Sequence, residues 1–265
     1  YKRQWLLTET EGAIRIDTNS EDYSLTSQWY SAQSGQFSAT RVFGVYEDLL
    51  GNEWILSDNG LGMLTAGQTT PTSYFVDAAE REKKGGQAFY SCLEYNSEIY
   101  FGSDNGRVWC YQKENGQFQL QNLPASSRIV SINSVEGNEL IFTTAKDGFF
   151  SYQPKTKAIE HFPASRFPNA SIHSVYVDKA SEVWFEQHIP GTVVHFNPRT
   201  RILKQEKVPV EPTSTDRSRP AFHIHEDING VLWVHPYGGG FSYFDRKSNS
   251  LHPFYNLSLI HISEP

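Results

Sequence analysis

Six aromatic residues stand at near-constant spacing along this chain. They are Trp5, Trp54, Tyr100, Phe142, Trp184 and Trp233, separated by 49, 46, 42, 42 and 49 residues. A period of about 40–50 residues is that of a four-stranded propeller blade, a unit that cannot bury its apolar face alone and must stack on its neighbours. Each aromatic sits in a recurring frame. In the first full copy the strands Val42–Glu47 and Glu53–Ser57 are joined by Asp48-Leu-Leu-Gly51; in the last, Phe222–Glu226 and Val231–Val234 are joined by Asp227-Ile-Asn-Gly230. Aspartate accepts hydrogen bonds from the backbone of such a turn, and glycine takes a positive φ without strain. Two middle copies relax the frame: Asp178-Lys-Ala-Ser181 lacks the glycine, and Val135-Glu-Gly137-Asn lacks the aspartate.

Two further turns repeat in register. After the aromatic strand come Ser57-Asp-Asn-Gly60, Ser103-Asp-Asn-Gly106 and Ala145-Lys-Asp-Gly148, and Asn-Gly and Asp-Gly are the strongest short hairpin signals. After the third strand come Tyr152-Gln-Pro154-Lys-Thr156, Phe196-Asn-Pro198-Arg-Thr200 and Phe244-Asp-Arg246-Lys-Ser248, where proline presets φ and cannot continue a central strand. The pattern predicts an all-β chain, a β-propeller of four-stranded antiparallel blades at 41–76, 88–121, 129–162, 172–206 and 221–254, with Trp5–Trp29 supplying the back of another blade. Only Ala78–Lys84 could form a helical turn, and Pro209–Pro220 reads as a loop between blades because the repeat resumes in phase after it. The ends read differently. Residues 257–265, LSLIHISEP, resemble the translation of a transposon-type sequencing adaptor, and residues 1–4 its opposite strand. The propeller is therefore expected over 5–256, as a partial ring whose first and last blades expose an apolar face.

Composition removes several function classes. The formal charge is -7 with no basic cluster, which argues against nucleic acid or an anionic membrane as partner, since those need clustered Lys and Arg. The one dense charge run, Glu80–Lys84, has mixed sign and reads as a solvated loop. No stretch approaches the ~18 apolar residues of a membrane helix. The aromatic content of 14% suits pleated surfaces. Cys92 and Cys110 fall on the first and third strands of one blade. At about 9.5 Å, two strand spacings, they are too far apart for a disulfide, so two buried thiols are expected.

The copies resemble the two-component-regulator propeller repeat. The run Ile224-His-Glu-Asp227-Ile-Asn-Gly230-Val-Leu-Trp233-Val, followed by Gly238-Gly-Gly-Phe-Ser-Tyr243-Phe-Asp245, fits that pattern, as does Val45-Tyr-Glu-Asp48-Leu-Leu-Gly51-Asn-Glu-Trp54-Ile. The family's Gly-Thr pair after the tryptophan is missing; Leu56-Ser57 and His235-Pro236 stand there. The resemblance implies a segment of a seven-bladed ring in the periplasmic sensor region of a membrane histidine kinase, often a hybrid kinase controlling polysaccharide utilisation. It implies an oligosaccharide ligand, a neighbouring propeller and β-sandwich in the parent chain, contact with the membrane only through parts absent here, and a homodimer. No cofactor is implied. The segment itself is then not an enzyme, although the parent carries kinase activity. This step runs from family to function and is an analogy.

Candidate ligand-binding residues follow from propeller geometry, in which the turn between a blade's second and third strands shares a face with the connections between blades. Those turns carry Asp58, Asn59, Asp104, Asn105, Asp147, His188 and Tyr237, and His235 ends a neighbouring strand. Mixed donors, acceptors and an aromatic suit sugar recognition, in which hydroxyls pair and an apolar sugar face stacks on a ring. The competing reading is hairpin chemistry, since Asp-Asn-Gly is what such a turn requires. His223, His225, Glu226 and His235 form the most metal-like group. However, His225 aligns with Tyr46 and Tyr176, where a ring packed between blades is expected, and no ligand set at metal spacing is legible. Two other function classes compete with the sensor. One is a scaffold for protein partners. The other is a metal-dependent lyase, because Val183-Trp-Phe185 followed by Gly191-Thr-Val-Val-His-Phe196 resembles the blades of streptogramin lyases.

Overall fold

The computed structural model describes residues 3–17, 27–35, 37–76, 88–187, 189–208, 223–236 and 240–254. Ala78–Lys84, Pro209–Pro220, His188, Tyr237 and Leu257–Pro265 lie outside them, so the expectations placed on those residues do too. The chain divides into two compact units, Tyr1–Ile132 and Asn133–Pro265.

The first unit begins with a three-stranded sheet, β1 (Arg3–Leu7), β2 (Ala13–Asp17) and β3 (Ser27–Tyr30), in the order β1-β2-β3. Two four-stranded antiparallel sheets follow, each a meander. One holds β4 (Val42–Glu47), β5 (Glu53–Ser57), β6 (Gly60–Leu64) and β7 (Thr72–Tyr74). The next holds β8 (Phe89–Tyr95), β9 (Glu98–Ser103), β10 (Val108–Gln112) and β11 (Gln117–Gln121). The hairpin glycines behave as the sequence requires: Gly60 and Gly106 hold φ of 93° and 77°. At Gly60 an added Cβ would lie 2.3 Å from the Tyr74 carbonyl oxygen, so no larger residue fits.

Trp54 joins these two sheets. It is fully buried, with ring centroids 5.0 Å from Phe101 and 4.8 Å from Tyr111. Its indole Nε1 donates to Asp48 Oδ2 at 3.1 Å. Asp48 Oδ1 meanwhile accepts from the backbone N–H groups of Leu50 and Asn52, both at 2.9 Å. The following sheet closes the arrangement. Lys113, in its third turn, lies 3.8 Å from Asp48 Oδ2 and pairs with Glu94. Glu94 in turn accepts from Leu49 N–H at 2.9 Å and the Tyr46 hydroxyl at 3.1 Å. Burial works against the Asp48 carboxylate, but the bonds from Asn52 and Trp54 and the charge of Lys113 hold it below the ordinary value. For Tyr46, burial followed by the bond to Glu94 pushes the phenol up to about 12.

The division between units falls within β12 (Ile129–Val135), whose sheet runs β12-β13-β14-β15 with β13 (Glu139–Thr144), β14 (Phe149–Gln153) and β15 (Ala158–Phe162). The second unit continues with β16 (Val175–Val177), β17 (Val183–Phe185), β18 (Thr192–Asn197) and β19 (Ile202–Lys207). Its last sheet holds β20 (His223–Glu226), β21 (Leu232–His235), β22 (Ser242–Asp245) and β23 (Ser250–Pro253). No α-helix occurs among the described residues, and no helix is long and apolar enough to cross a membrane.

The Asp48 arrangement is rebuilt between the last two sheets. Asp178 accepts from Ala180 N–H, Glu182 N–H and Trp184 Nε1, each at 2.9 Å. Arg246, in the third turn of the next sheet, reaches Asp178 Oδ2 at 3.2 Å and Glu226 at 3.6 Å. Glu226 accepts from Lys179 N–H at 2.8 Å. Ser181, where the sequence lacks the turn glycine, still adopts φ of 64°. Trp184 is fully buried, stacked on His195 with centroids 4.4 Å apart and edge-on to Phe244 at 4.9 Å.

In the last sheet Asp227 again accepts from Asn229 N–H, Val231 N–H and Trp233 Nε1. One face, with Leu232, Val234, Phe244 and Leu251, joins the core around Trp184. The opposite face carries the cross-strand row His225, Trp233, Tyr243 and His252, and no described residue from another sheet covers it. His225 is therefore exposed, whereas Tyr46 and Tyr176 pack against core clusters. This corrects the expectation of a ring packed between blades at His225, because the covering sheet that buries those two positions has no counterpart among the described residues. Trp233 is instead flanked by Phe241 and Phe254, at 5.2 and 5.1 Å.

Cys92 and Cys110 lie on β8 and β10 and form no disulfide. Cys110 is buried and Cys92 half-buried, with burial pushing the Cys92 thiol up to about 12.

Two outcomes test this account. Asp178→Ala leaves two turn amides, an indole N–H and Arg246 without their acceptor, and should cost about 2–3 kcal/mol in denaturant unfolding. Burial disfavours the Glu182 carboxylate, but contacts with His195 and Asn197 and the charge of Arg246 hold it below its ordinary value. Its stabilisation is therefore complete above the unfolded value of about 4.3 and is lost as pH falls through the lower folded value. In a thermal-melt series, Glu182→Gln should flatten the decline in Tm from about pH 5 downward.

Candidate functional site

The first strands of the two full sheets in the first unit start with the same irregularity. Where β4 pairs β5 the register shifts between Val42 and Gly44; where β8 pairs β9 it shifts between Phe89 and Ser91. Phe43 and Tyr90 are thus the unpaired extra residues of two β-bulges. A bulge turns one side chain away from the direction strand alternation would give it, and bulges concentrate next to binding sites. Here both re-aimed side chains are aromatic and meet each other. Phe43 and Tyr90 stack with centroids 4.3 Å apart and planes 27° from parallel. Arg128 places its guanidinium 4.8 Å from the Tyr90 centroid. The neighbouring alternate residues, Val42 and Phe89, are buried and anchor each bulge.

Beside the stack lies a groove of about 520 Å³, walled by Leu7, Thr8, Glu9 and Thr10 on one side and Arg41, Val42 and Phe43 on the other. Leu7 ends β1, the edge strand of its sheet, and is 45% exposed. The groove combines an aromatic face, hydroxyls, a carboxylate and a guanidinium. That is the mixture that recognises a polyhydroxylated ring with an apolar face.

Two of the residues singled out in the sequence, Asp58 and Asn59, brace this wall. Asp58 Oδ1 accepts from Thr40 N–H at 3.0 Å, and Asp58 N–H donates to the Arg41 carbonyl at 3.1 Å. Asn59 Nδ2 donates to the Ser38 carbonyl at 2.6 Å. Together they tie the β5–β6 turn to the connection that leads into the Phe43 bulge. The β9–β10 turn does the same before Tyr90: Asp104 N–H donates to the Ala88 carbonyl at 3.0 Å, and Asn105 accepts from the Ser103 hydroxyl at 2.7 Å. The Asp104 side chain is exposed. Asp147 and His235 belong to the second unit. Asp147 donates its N–H to Thr144 Oγ1, and its carbonyl lies 2.8 Å from His161 Nε2. His235 pairs across β20–β21 with His223, their rings parallel within 9° at 6.3 Å. His188 and Tyr237 lie outside the described residues.

Sequence reading missed Phe43, Tyr90 and Arg128. The available signal was a break in alternation: Val42-Phe43 and Phe89-Tyr90 each place two large apolar residues side by side at the start of a strand. Among the described residues no group of three or more His, Cys, Asp or Glu is arranged to hold a metal. The His195 ring does sit between Glu182 and Glu206, at 3.3 and 3.6 Å. It lies beneath Trp184 and is 3% exposed, so no substrate reaches it.

No family model and no curated protein matches the chain. Solved structures do. The extracellular domain of a one-component system from B. thetaiotaomicron is 17% identical with a TM-score of 0.64, over 96% of this chain and 35% of that one. Streptogramin B lyase is 17% identical with a TM-score of 0.64, over 96% of this chain and 80% of the lyase. The extracellular domain of a hybrid two-component system from B. thetaiotaomicron is 15% identical with a TM-score of 0.53, over 93% of this chain and 37% of that one. The chain thus spans about a third of the length of these two extracellular domains. At these identities the likeness is one of fold, and the fold is that of an all-β propeller built from four-stranded antiparallel blades. The propeller fold expected from the repeat is met at this level in three dimensions.

If the stack is displayed for binding and not built for stability, its removal is cheap. Phe43→Ala should cost about 1 kcal/mol, the worth of one ring pair. Phe101→Ala, at a fully buried position, should cost about 3–5 kcal/mol by the same unfolding assay.

Proposed function

We propose that this chain is an extracytoplasmic ligand-sensing propeller segment of a two-component sensor, and that its ligand is an oligosaccharide released by polysaccharide breakdown. The observation that carries the reading is the pair of matched bulges that bring Phe43 and Tyr90 together beside an open groove. Bulges cost ladder hydrogen bonds, and two in successive sheets that converge on one ring stack indicate a constraint other than stability. The fold it shares with extracellular sensor domains supports the same assignment, by analogy. The shared fold with streptogramin B lyase would support an enzyme instead, yet the described His–carboxylate group around His195 is sealed in the core.

Calorimetric titration of the protein against plant, host and microbial oligosaccharides tests the reading. One glycan class should bind, and Phe43→Ala should weaken that binding at least about tenfold, in the range of a lost aromatic contact. A folded sample that binds no member of the panel overturns the sugar-sensing reading and favours a scaffold for protein partners.

A further inference from the structure

Among the described cations of the first unit, two are held in ion pairs away from the groove. Arg15 pairs with Glu53 at 3.1 Å, and Lys113 with Glu94 and Asp48. By contrast, no described carboxylate forms an ion pair with the guanidinium of Arg41 or Arg128. Both are exposed. Arg41 lines the groove, and Arg128 lies over Tyr90 at the far end of the stack. Glu9, the one carboxylate in the groove wall, is not bonded to Arg41. In a chain of net charge -7, two guanidinium groups that no described carboxylate holds thus stand beside one aromatic stack, with Glu9 as the carboxylate in the same groove wall.

We infer that the groove takes an acidic oligosaccharide. In this arrangement one sugar ring packs its apolar face on Phe43, and its carboxylate or sulfate accepts hydrogen bonds from Arg41. A guanidinium offers planar paired donors that fit both anions. Arg128 meets negative charge further along the chain, beyond Tyr90. Thr10 supplies a hydroxyl for the neutral part of the sugar, while the Thr8 hydroxyl is held in its own turn by Gly12 and Glu11. The inference rests on the sugar-sensing reading above and adds the charge of the ligand to it.

The test pairs each acidic probe with its neutral counterpart. Oligogalacturonides, hyaluronan fragments and sulfated chondroitin fragments are titrated into the protein beside their carboxyl-reduced or desulfated forms. At least one acidic member should bind about tenfold or more tightly than its neutral form, with affinity falling as salt is raised. Arg41→Gln should abolish that preference and Arg128→Gln should reduce it. Arg199→Gln, which removes a cation paired with Glu136 in the other unit, should leave it unchanged. Carboxylate and sulfate probes separate the two anion sources. Neutral glycans that bind as tightly as acidic ones, or a preference that survives Arg41→Gln, would overturn this inference while leaving the sensor reading in place. Absence of binding to every glycan, acidic or neutral, overturns both.

Discussion

In three of the five four-stranded sheets one carboxylate organises the packing: the turn aspartate at Asp48, Asp178 and Asp227. One of its oxygens closes the turn by accepting two backbone N–H groups, and the other holds the indole of the tryptophan six residues on. The turn therefore fixes the orientation of the largest core side chain. At Asp48 and Asp178 the following sheet adds a lysine or arginine from its third turn. A glutamate on its first strand then takes one more amide of the turn. Turn closure, tryptophan packing and sheet-to-sheet docking depend on the same atoms. Loss of the carboxylate strands several buried donors at once, which costs far more than the net worth of one hydrogen bond.

Such over-determined sheets can carry irregularities that would unsettle a looser fold. The bulges at Phe43 and Tyr90 interrupt the ladder at the ends of strands whose other residues are held by Trp54, Phe89 and Phe101. The Asp-Asn-Gly hairpins contribute by clamping the connection that enters each bulge. Residues that look like candidate ligands by chemistry thus serve as the frame for residues that chemistry alone did not nominate. The last sheet shows the same economy from the other side. Its Asp227–Trp233 pair is intact, yet Trp233 is only half-buried and His225 is exposed, because no described sheet supplies the cation and aromatic cover that Trp184 receives.

Much of this architecture was legible in the amino-acid order. Turn chemistry is local: aspartate, glycine and proline act within four or five residues, so the hairpins at 48–51, 57–60 and 103–106 could be placed from composition of the turn alone. Strand boundaries followed from the turns, and the blade limits agree with the observed sheets within a few residues. Ser181 shows the limit of residue type as a guide, since it adopts the positive φ of the missing glycine under the pull of Asp178.

By itself, then, the sequence determined the repeat, the all-β class, the register of the turns and the separation of the two cysteines, because each depends on contacts between residues close in the chain. Tertiary structure decided what those contacts surround. Phe43 meets Tyr90 only because the first strands β4 and β8 are brought together, and Tyr90 meets Arg128 from the connection that follows β11. A bulge is visible only once the pairing of both strands is known. Arg41 gains its character from having no ion pair with a described carboxylate, although Glu9 shares its groove, which a linear sequence does not reveal. The candidate site is made of relations between residues tens of positions apart, and those relations exist only in the packed sheets.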